Sequence, residues 1–169
     1  MALIEGTNYW ACPKNTEDIK VFITTEKLNY DDFTGFVKSP KAGAIVVFGG
    51  TTRDNFEEKT VVTLEYESYT KLALNTIFKI AQEQFELNSK KEGNDKIVHK
   101  VCIAHKLGSV PILEESIIIA VSTSHRKEGF QVCENILELI KEKAEIWKKE
   151  KYNDGSDTWK ENENSNVKK

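Results

Sequence analysis

Only three cysteines occur in the 169 residues, Cys12, Cys102 and Cys133, far apart and without a CxxC pair. That count and spacing exclude a disulfide framework and a thiolate zinc site, and read as structural free thiols in a reducing compartment. Long apolar runs are missing as well. The longest, Ala44–Phe48 and Ile117–Val121, are far too short to span a bilayer. The opening Met-Ala-Leu-Ile-Glu-Gly has no basic segment followed by an apolar one, and Ala2 leaves no myristoylation site. Positive charge is not in excess: 24 Lys+Arg against 27 Asp+Glu give a net charge of −3. A general nucleic-acid binder, which works by neutralising phosphates, is therefore disfavoured. HExxH, carboxylate-rich loops, GxSxG, the P-loop and GxGxxG are all absent, which removes the common metal, hydrolase, NTPase and dinucleotide readings. The expectation is a soluble, cytosolic protein with no membrane, nucleic-acid or metal partner.

What is present fits one domain, residues 1–159, with a core large enough to need no staples. The stretch 160–169 (KENENSNVKK) is almost devoid of apolar residues and is expected to be a disordered tail. Residues 88–96 (NSKKEGNDK) read as an exposed loop. Period-two patterning predicts strands over 19–25, 60–66 and 97–105, the second with Val62, Leu64 and Tyr66 opposite Val61, Thr63 and Glu65. The continuous apolar runs 43–50 (GAIVVFGG) and 116–122 (SIIIAVS) predict strands buried on both faces. A short helix is expected over 29–37, carrying Phe33 and Val37 inward. Two long ones are expected over 69–85 (Tyr69, Leu72, Ala73, Thr76, Ile77, Ile80, Ala81 and Gln84 on one stripe) and 127–144 (Phe130, Cys133, Leu137, Ile140 and Ala144). About five strands and two long helices, not in strict alternation, predict an α+β fold with a mixed or antiparallel sheet packed against the helices.

Four polar stretches sit where strands or helices end. In Gly49-Gly50-Thr51-Thr52-Arg53-Asp54-Asn55, glycines that let backbone amides approach a ligand precede hydroxyls and a guanidinium. Such a turn suits an anion, or is simply a hairpin with an exposed Arg. In Ser122-Thr123-Ser124-His125-Arg126, Ser124 is a plausible N-cap of the last long helix. There the free amides favour an anion, His125 exchanges protons near neutrality, and Arg126 suits a phosphate. Lys141, Lys143, Lys148, Lys149 and Lys151 flank Trp147. If the helix continues, Lys141 and Lys148 differ by only about 20° and face one site. The bland reading of these lysines is a solvated helix end complementing the dipole. His105-Lys106-Leu107-Gly108 ends a strand, and His105 there reads as a satisfied structural residue.

Taken in order, GAIVVFGGTTRDNFEEKTVVTLEYESY, AHKLGSVPILEESIIIAVSTSHR, IKEKAEIWKKE and DGSDTW resemble the catalytic (large) subunit of molybdopterin synthase, eukaryotic branch, over roughly residues 19–159. The resemblance implies an α/β-hammerhead-like fold. It also implies a sulfurtransferase of molybdenum cofactor biosynthesis that converts cyclic pyranopterin monophosphate into molybdopterin. Two sulfurs form the dithiolene, each delivered as the C-terminal thiocarboxylate of a small ubiquitin-like subunit whose Gly-Gly tail inserts into the large one. Large subunits pair at the centre of a heterotetramer, and no metal or other cofactor is needed. Carried onto this chain, the substrate-contact turn falls on Thr51, Thr52 and Arg53, the His-Arg pair on His125 and Arg126, and the essential lysines on Lys141 and Lys148. Lys148 begins the run Lys148-Lys149-Glu150, counted with the substrate-binding residues. Catalysis is expected from Lys141 at the tail carbonyl, Lys148 at the pterin and His125 as proton shuttle. Two positions depart from the family pattern: Lys106 stands where an Arg is common, and Glu145 where a helix-breaking proline is usual. Two readings of other classes compete: a non-catalytic adaptor docking a ubiquitin-like tail, and a metal-free phosphate-ester hydrolase built on His125 and the lysines.

Overall fold

The computed structural model describes residues 8–56, 59–88 and 96–160. The chain runs β1 (Tyr9–Ala11), β2 (Ile19–Thr24), α1 (Tyr30–Val37), β3 (Ala44–Thr51), β4 (Asn55–Phe56), β5 (Lys59–Ser68), α2 (Thr70–Asn88), β6 (Val98–Lys106), β7 (Gly108–Pro111), β8 (Glu115–Thr123), α3 (Arg126–Lys143), β9 (Ile146–Tyr152) and β10 (Asp157–Lys160). Two sheets form. The first has the order β1-β2-β6-β8-β3 and is antiparallel except where β2 runs parallel to β6. The second, wholly antiparallel, has the order β10-β9-β5-β4, with β7 also pairing β5. The α+β class expected from the sequence holds, with a mixed sheet covered by two long helices.

Apolar alternation explains the layers. Along β8, Ile117, Ile119 and Val121 enter the core beneath α2 and α3, while Ile118 and Ala120 enter a second core beneath α1. β6 divides likewise, Val101 and Ile103 against Cys102 and Ala104. The middle of each strand, Val101–Ala104 and Ile117–Val121, is therefore continuously apolar, as a stretch buried on both faces must be. The short helix α1 is set by Asn29, whose side chain accepts from the Asp31 amide at 3.1 Å, and by two acids in its first turn.

Several expectations change. Four short strands, β1, β4, β7 and β10, contain too few residues to show a period, and β9 hides among lysines, so ten strands occur among the described residues rather than about five. β3 is an edge strand and only half-buried, with Ile45 41% exposed, instead of buried on both faces. A register shift between Val61 and Thr63 turns Val61 inward, while Val62 is left exposed. Tyr69 precedes α2 and, like Leu72 on it, falls outside the buried stripe, which instead takes in Leu74, Phe78 and Phe85. On α3 the buried stripe is Gly129, Val132, Cys133, Ile136 and Ile140, and Phe130 is 63% exposed. Lys160 still pairs in β10, opposite Lys148. The rest of the expected tail lies outside the described residues, as does 89–95 of the expected loop. Among the described residues no helix is long and apolar enough to cross a membrane.

Candidate active site

A cavity of about 230 Å³ opens at the seam between the two sheets. Its apolar wall is Phe48, Val61, Leu64, Ile117, Leu137, Ile140 and Ile146, and its polar groups are Thr51, Arg53, Asn55, Tyr66, His105, Ser116, Lys141, Lys148 and Glu150. The cations reach it from three elements: Arg53 from the turn after β3, Lys141 from the last turn of α3, and Lys148 from β9.

Lys141 and Lys148 do face one site, but not along one helix. α3 ends at Lys143; Ala144 is extended (φ −74°, ψ 138°), and β9 begins two residues later. The chain turns here without a proline and brings Lys148 in on a strand. Glu145 accepts from the Thr76 hydroxyl at 3.1 Å and so ties the turn to α2. Alternation along β9 then sorts its side chains. Lys148 and Glu150 face the cavity, whereas Lys149 lies on the opposite side, 3.6 Å from Asp157 and 4.6 Å from the centre of the Trp159 ring. Glu150 is 3% exposed; one oxygen is 3.5 Å from the Lys148 ammonium and the other accepts from the Tyr152 hydroxyl at 2.8 Å. Lys141 lies 3.3 Å from Glu138 on its own helix.

The turn after β3 divides its residues similarly. Thr51 and Arg53 line the cavity. Thr52 is buried and donates its hydroxyl to the Val110 carbonyl at 3.0 Å. Its backbone amide donates to the Glu114 carbonyl and its carbonyl accepts from the Leu113 amide, both at 3.1 Å. Behind that loop Lys106, 7% exposed, forms a 2.7 Å ion pair with Glu114 and holds the Glu114 carboxyl below its ordinary range. Gly49 serves packing rather than a ligand: the Tyr30 hydroxyl sits where a Cβ would stand.

His125 and Arg126 are not among the residues that line the cavity. They open α3, and fifteen residues at 1.5 Å each separate Arg126 from Lys141, about 22 Å within one copy. The N-cap is His125, without a side-chain cap bond, rather than Ser124. The Ser124 hydroxyl instead meets His99 at 3.0 Å and donates to the Lys96 carbonyl at 3.2 Å.

Two residues the sequence reading set aside or passed over stand at the site. His105 is buried against the cavity, 6% exposed, and burial lowers its pKa to about 4. Tyr66 packs edge-on against it, 5.0 Å between ring centres, and burial raises the Tyr66 phenol above its ordinary value. The strand pattern around 60–66 put Tyr66 on a face; nothing in the sequence said that this face was the cavity's.

The mixed fold places a cation-lined cavity between a helix end and a strand, a site whose chemistry suits an anionic ligand. The family described as MoaE protein matches residues 23–143. A molybdopterin synthase catalytic subunit from Phaeosphaeria nodorum is 44% identical over 154 residues, covering 91% of this chain and 78% of that one. The crystal structure of molybdopterin synthase from Staphylococcus aureus superimposes with a TM-score of 0.72 at 31% identity, covering 82% of this chain and 94% of that one. A complex of subunits 1 and 2 of molybdopterin-converting factor from Helicobacter pylori matches with a TM-score of 0.55 at 25% identity, over 70% of this chain and 72% of that one. The chain belongs to the MoaE family, the catalytic subunits of molybdopterin synthase, an enzyme of molybdenum cofactor biosynthesis.

Proposed function

We propose that this chain transfers sulfur to cyclic pyranopterin monophosphate, building the dithiolene of molybdopterin. Each sulfur arrives as the C-terminal thiocarboxylate of a small ubiquitin-like subunit ending in Gly-Gly. The observation that carries the reading is the convergence of Arg53, Lys141 and Lys148 on one cavity. Donor and acceptor are both anions and repel each other. Fixed cations in a partly desolvated site offset that repulsion far more than they would in water. Arg53, with Thr51, grips the phosphate. Lys141 faces the tail carbonyl and stabilises charge as sulfur leaves, and Lys148 assists loss of the oxygen that sulfur replaces. Glu150 and Thr52 act through neighbours: Glu150 orients Lys148, and Thr52 holds the turn that presents Arg53. The reaction as proposed needs no metal and takes place in the cytosol.

The same reading pairs two copies at the centre of a heterotetramer. Among the described residues the outer edge of β3 is unpaired, with Ile45 exposed on its α1 side and Phe130 of α3 exposed on the other, and this edge offers apolar surface to a second copy. The Gly129 end of α3 packs on Val46, and Leu137 lines the cavity beside Phe48, so α3 runs alongside β3 in the same direction. A two-fold pairing of β3 edges then lays the start of one α3 near the end of the other. It brings the second copy's His125 and Arg126 toward Lys141, where they complete the phosphate grip and the proton path.

Reconstitution tests the proposal. The purified chain, a thiocarboxylated small subunit and cyclic pyranopterin monophosphate are mixed, and molybdopterin is read as its fluorescent oxidation product. Lys141→Ala and Lys148→Ala are each expected to lower turnover about 10²–10³-fold with folding intact. A variant within about threefold of wild type removes that lysine from the mechanism. Complex formation without any product favours the adaptor reading.

A further inference from the structure

The surroundings of His105 divide its ring into two edges. Nδ1 lies 2.8 Å from the Lys106 carbonyl oxygen. A carbonyl only accepts, so Nδ1 carries the proton and Nε2 carries the lone pair. Among the described residues Nε2 has no hydrogen-bond partner, and it is not one of the sealed polar atoms left without one. The ring lines the cavity, and Tyr66, edge-on at 71°, fixes its plane. Its depressed pKa keeps it neutral at neutral pH, so the lone pair stays available.

The cations of the cavity only donate. They suit a phosphate and a thiocarboxylate, and acceptors for the ring N–H and amino groups of a reduced pterin come instead from Thr51, Asn55, Tyr66, His105, Ser116 and Glu150. Thr51 and Asn55 are exposed, Glu150 is already divided between Lys148 and Tyr152, and the Ser116 hydroxyl, which donates to the Gly50 carbonyl at 3.1 Å, also pairs with the Tyr66 phenol; His105 is the buried acceptor left uncommitted. We propose that His105 is a specificity-determining residue of this site: its Nε2 accepts a hydrogen bond from an N–H group of the pterin heterocycle. The inference rests on the sulfur-transfer reading above. It gives His105 the discriminating part, since a site that offers a buried acceptor rejects heterocycles that lack the matching donor.

Two amides separate the edges of the ring. His105→Asn keeps a donor near the Nδ1 position and removes the acceptor; His105→Gln restores a side-chain oxygen near Nε2. In the reconstituted enzyme, Asn is expected to raise KM for cyclic pyranopterin monophosphate about tenfold or more with a smaller change in kcat. Gln is expected to stay within about threefold of wild type. Asn behaving as wild type, or Gln performing worse than Asn, overturns the inference, because a purely structural ring acts through Nδ1. Should neither variant fold, the ¹⁵N resonance of Nε2 in the wild-type complex decides: it moves on addition of the pterin if the lone pair is engaged, and an unmoved signal overturns the assignment. A wild-type enzyme that makes no molybdopterin would count against the sulfur-transfer reading instead.

Discussion

Lys148 and Lys149 are neighbours in the sequence and take opposite sides of a strand. One lines the cavity with Glu150 beneath it, and the other lies outside against Asp157 and the Trp159 ring. Thr51 and Thr52 part in the same way. Residue types left each polar stretch open between an anion site and a solvated surface; the family resemblance singled out Arg53, Lys141 and Lys148, and these three line the cavity. Which member of each pair faces inward was not legible in the sequence, because a helical period and a strand period place position 148 differently, and only the turn at 144–145 decides between them. His105 was passed over because a histidine at a strand end is usually spent on the backbone, and one of its nitrogens is. Its burial carries a pH consequence. The folded ring titrates near 4 against an ordinary 6.5, so below 6.5 the unfolded chain binds the extra proton and the fold loses stability until about pH 4. The full effect is about 3 kcal/mol. Urea unfolding at pH 7 and pH 4.5 should show the decline, and His105→Gln should shrink it; an equal decline in both proteins assigns it to carboxylates such as Glu114.

At the scale of elements, α3 decides most of the site, since its end delivers Lys141 and aims the chain into β9. Its existence and bounds were readable from periodicity. Its orientation was not, because two apolar stripes lie on it. One, through Val132, Ile136 and Ile140, is buried under α2 and the sheet; the other, through Phe130 and Leu137, borders the β3 edge. Glycines set how closely α3 and β3 approach. A Cβ at Gly43 would stand 2.5 Å from the Ser124 carbonyl oxygen, a backbone atom that cannot turn aside. At Gly129 a Cβ would meet the Val46 methyl and the Thr123 hydroxyl, each at 2.8 Å. Gly43→Ala should therefore destabilise by about 2–3 kcal/mol. Gly129→Ala should cost only about 1 kcal/mol, because the helix gains from alanine part of what the contact loses. Thermal unfolding of the two variants checks the order, and a reversal would mean that the Gly43 strand end yields more easily than the α3 contact.

For the molecule as a whole, the sequence predicted the class and a layer of helices on a sheet. The second sheet escaped it, since its strands are short, charged or bent by a bulge, yet this sheet forms one wall of the cavity. The continuous apolar run over 43–50 likewise read as a strand buried on both faces; the place of β3 at the edge is a matter of strand order, which no local pattern encodes. That edge carries a prediction. Ile45→Lys with Phe130→Glu should convert a pair of copies into single ones by sedimentation, with the circular dichroism unchanged. A pair that persists would move the self-association to another face.

The placement of the three cysteines has a consequence for chemical fidelity. All three are buried; burial pushes the Cys102 thiol up to about 12 and the Cys133 thiol to about 11. At pH 7 no more than about one in ten thousand of either is a thiolate. The native chain should resist iodoacetamide at all three positions, by mass spectrometry, until it unfolds. An enzyme that handles an activated acyl sulfur has to keep nucleophiles of its own away from it. In the sulfur transfer proposed above, a reactive thiol near the cavity would intercept the acyl group of the donor and leave a dead covalent adduct. With all three thiols buried, the sulfur conveyed in the proposed transfer would have one destination.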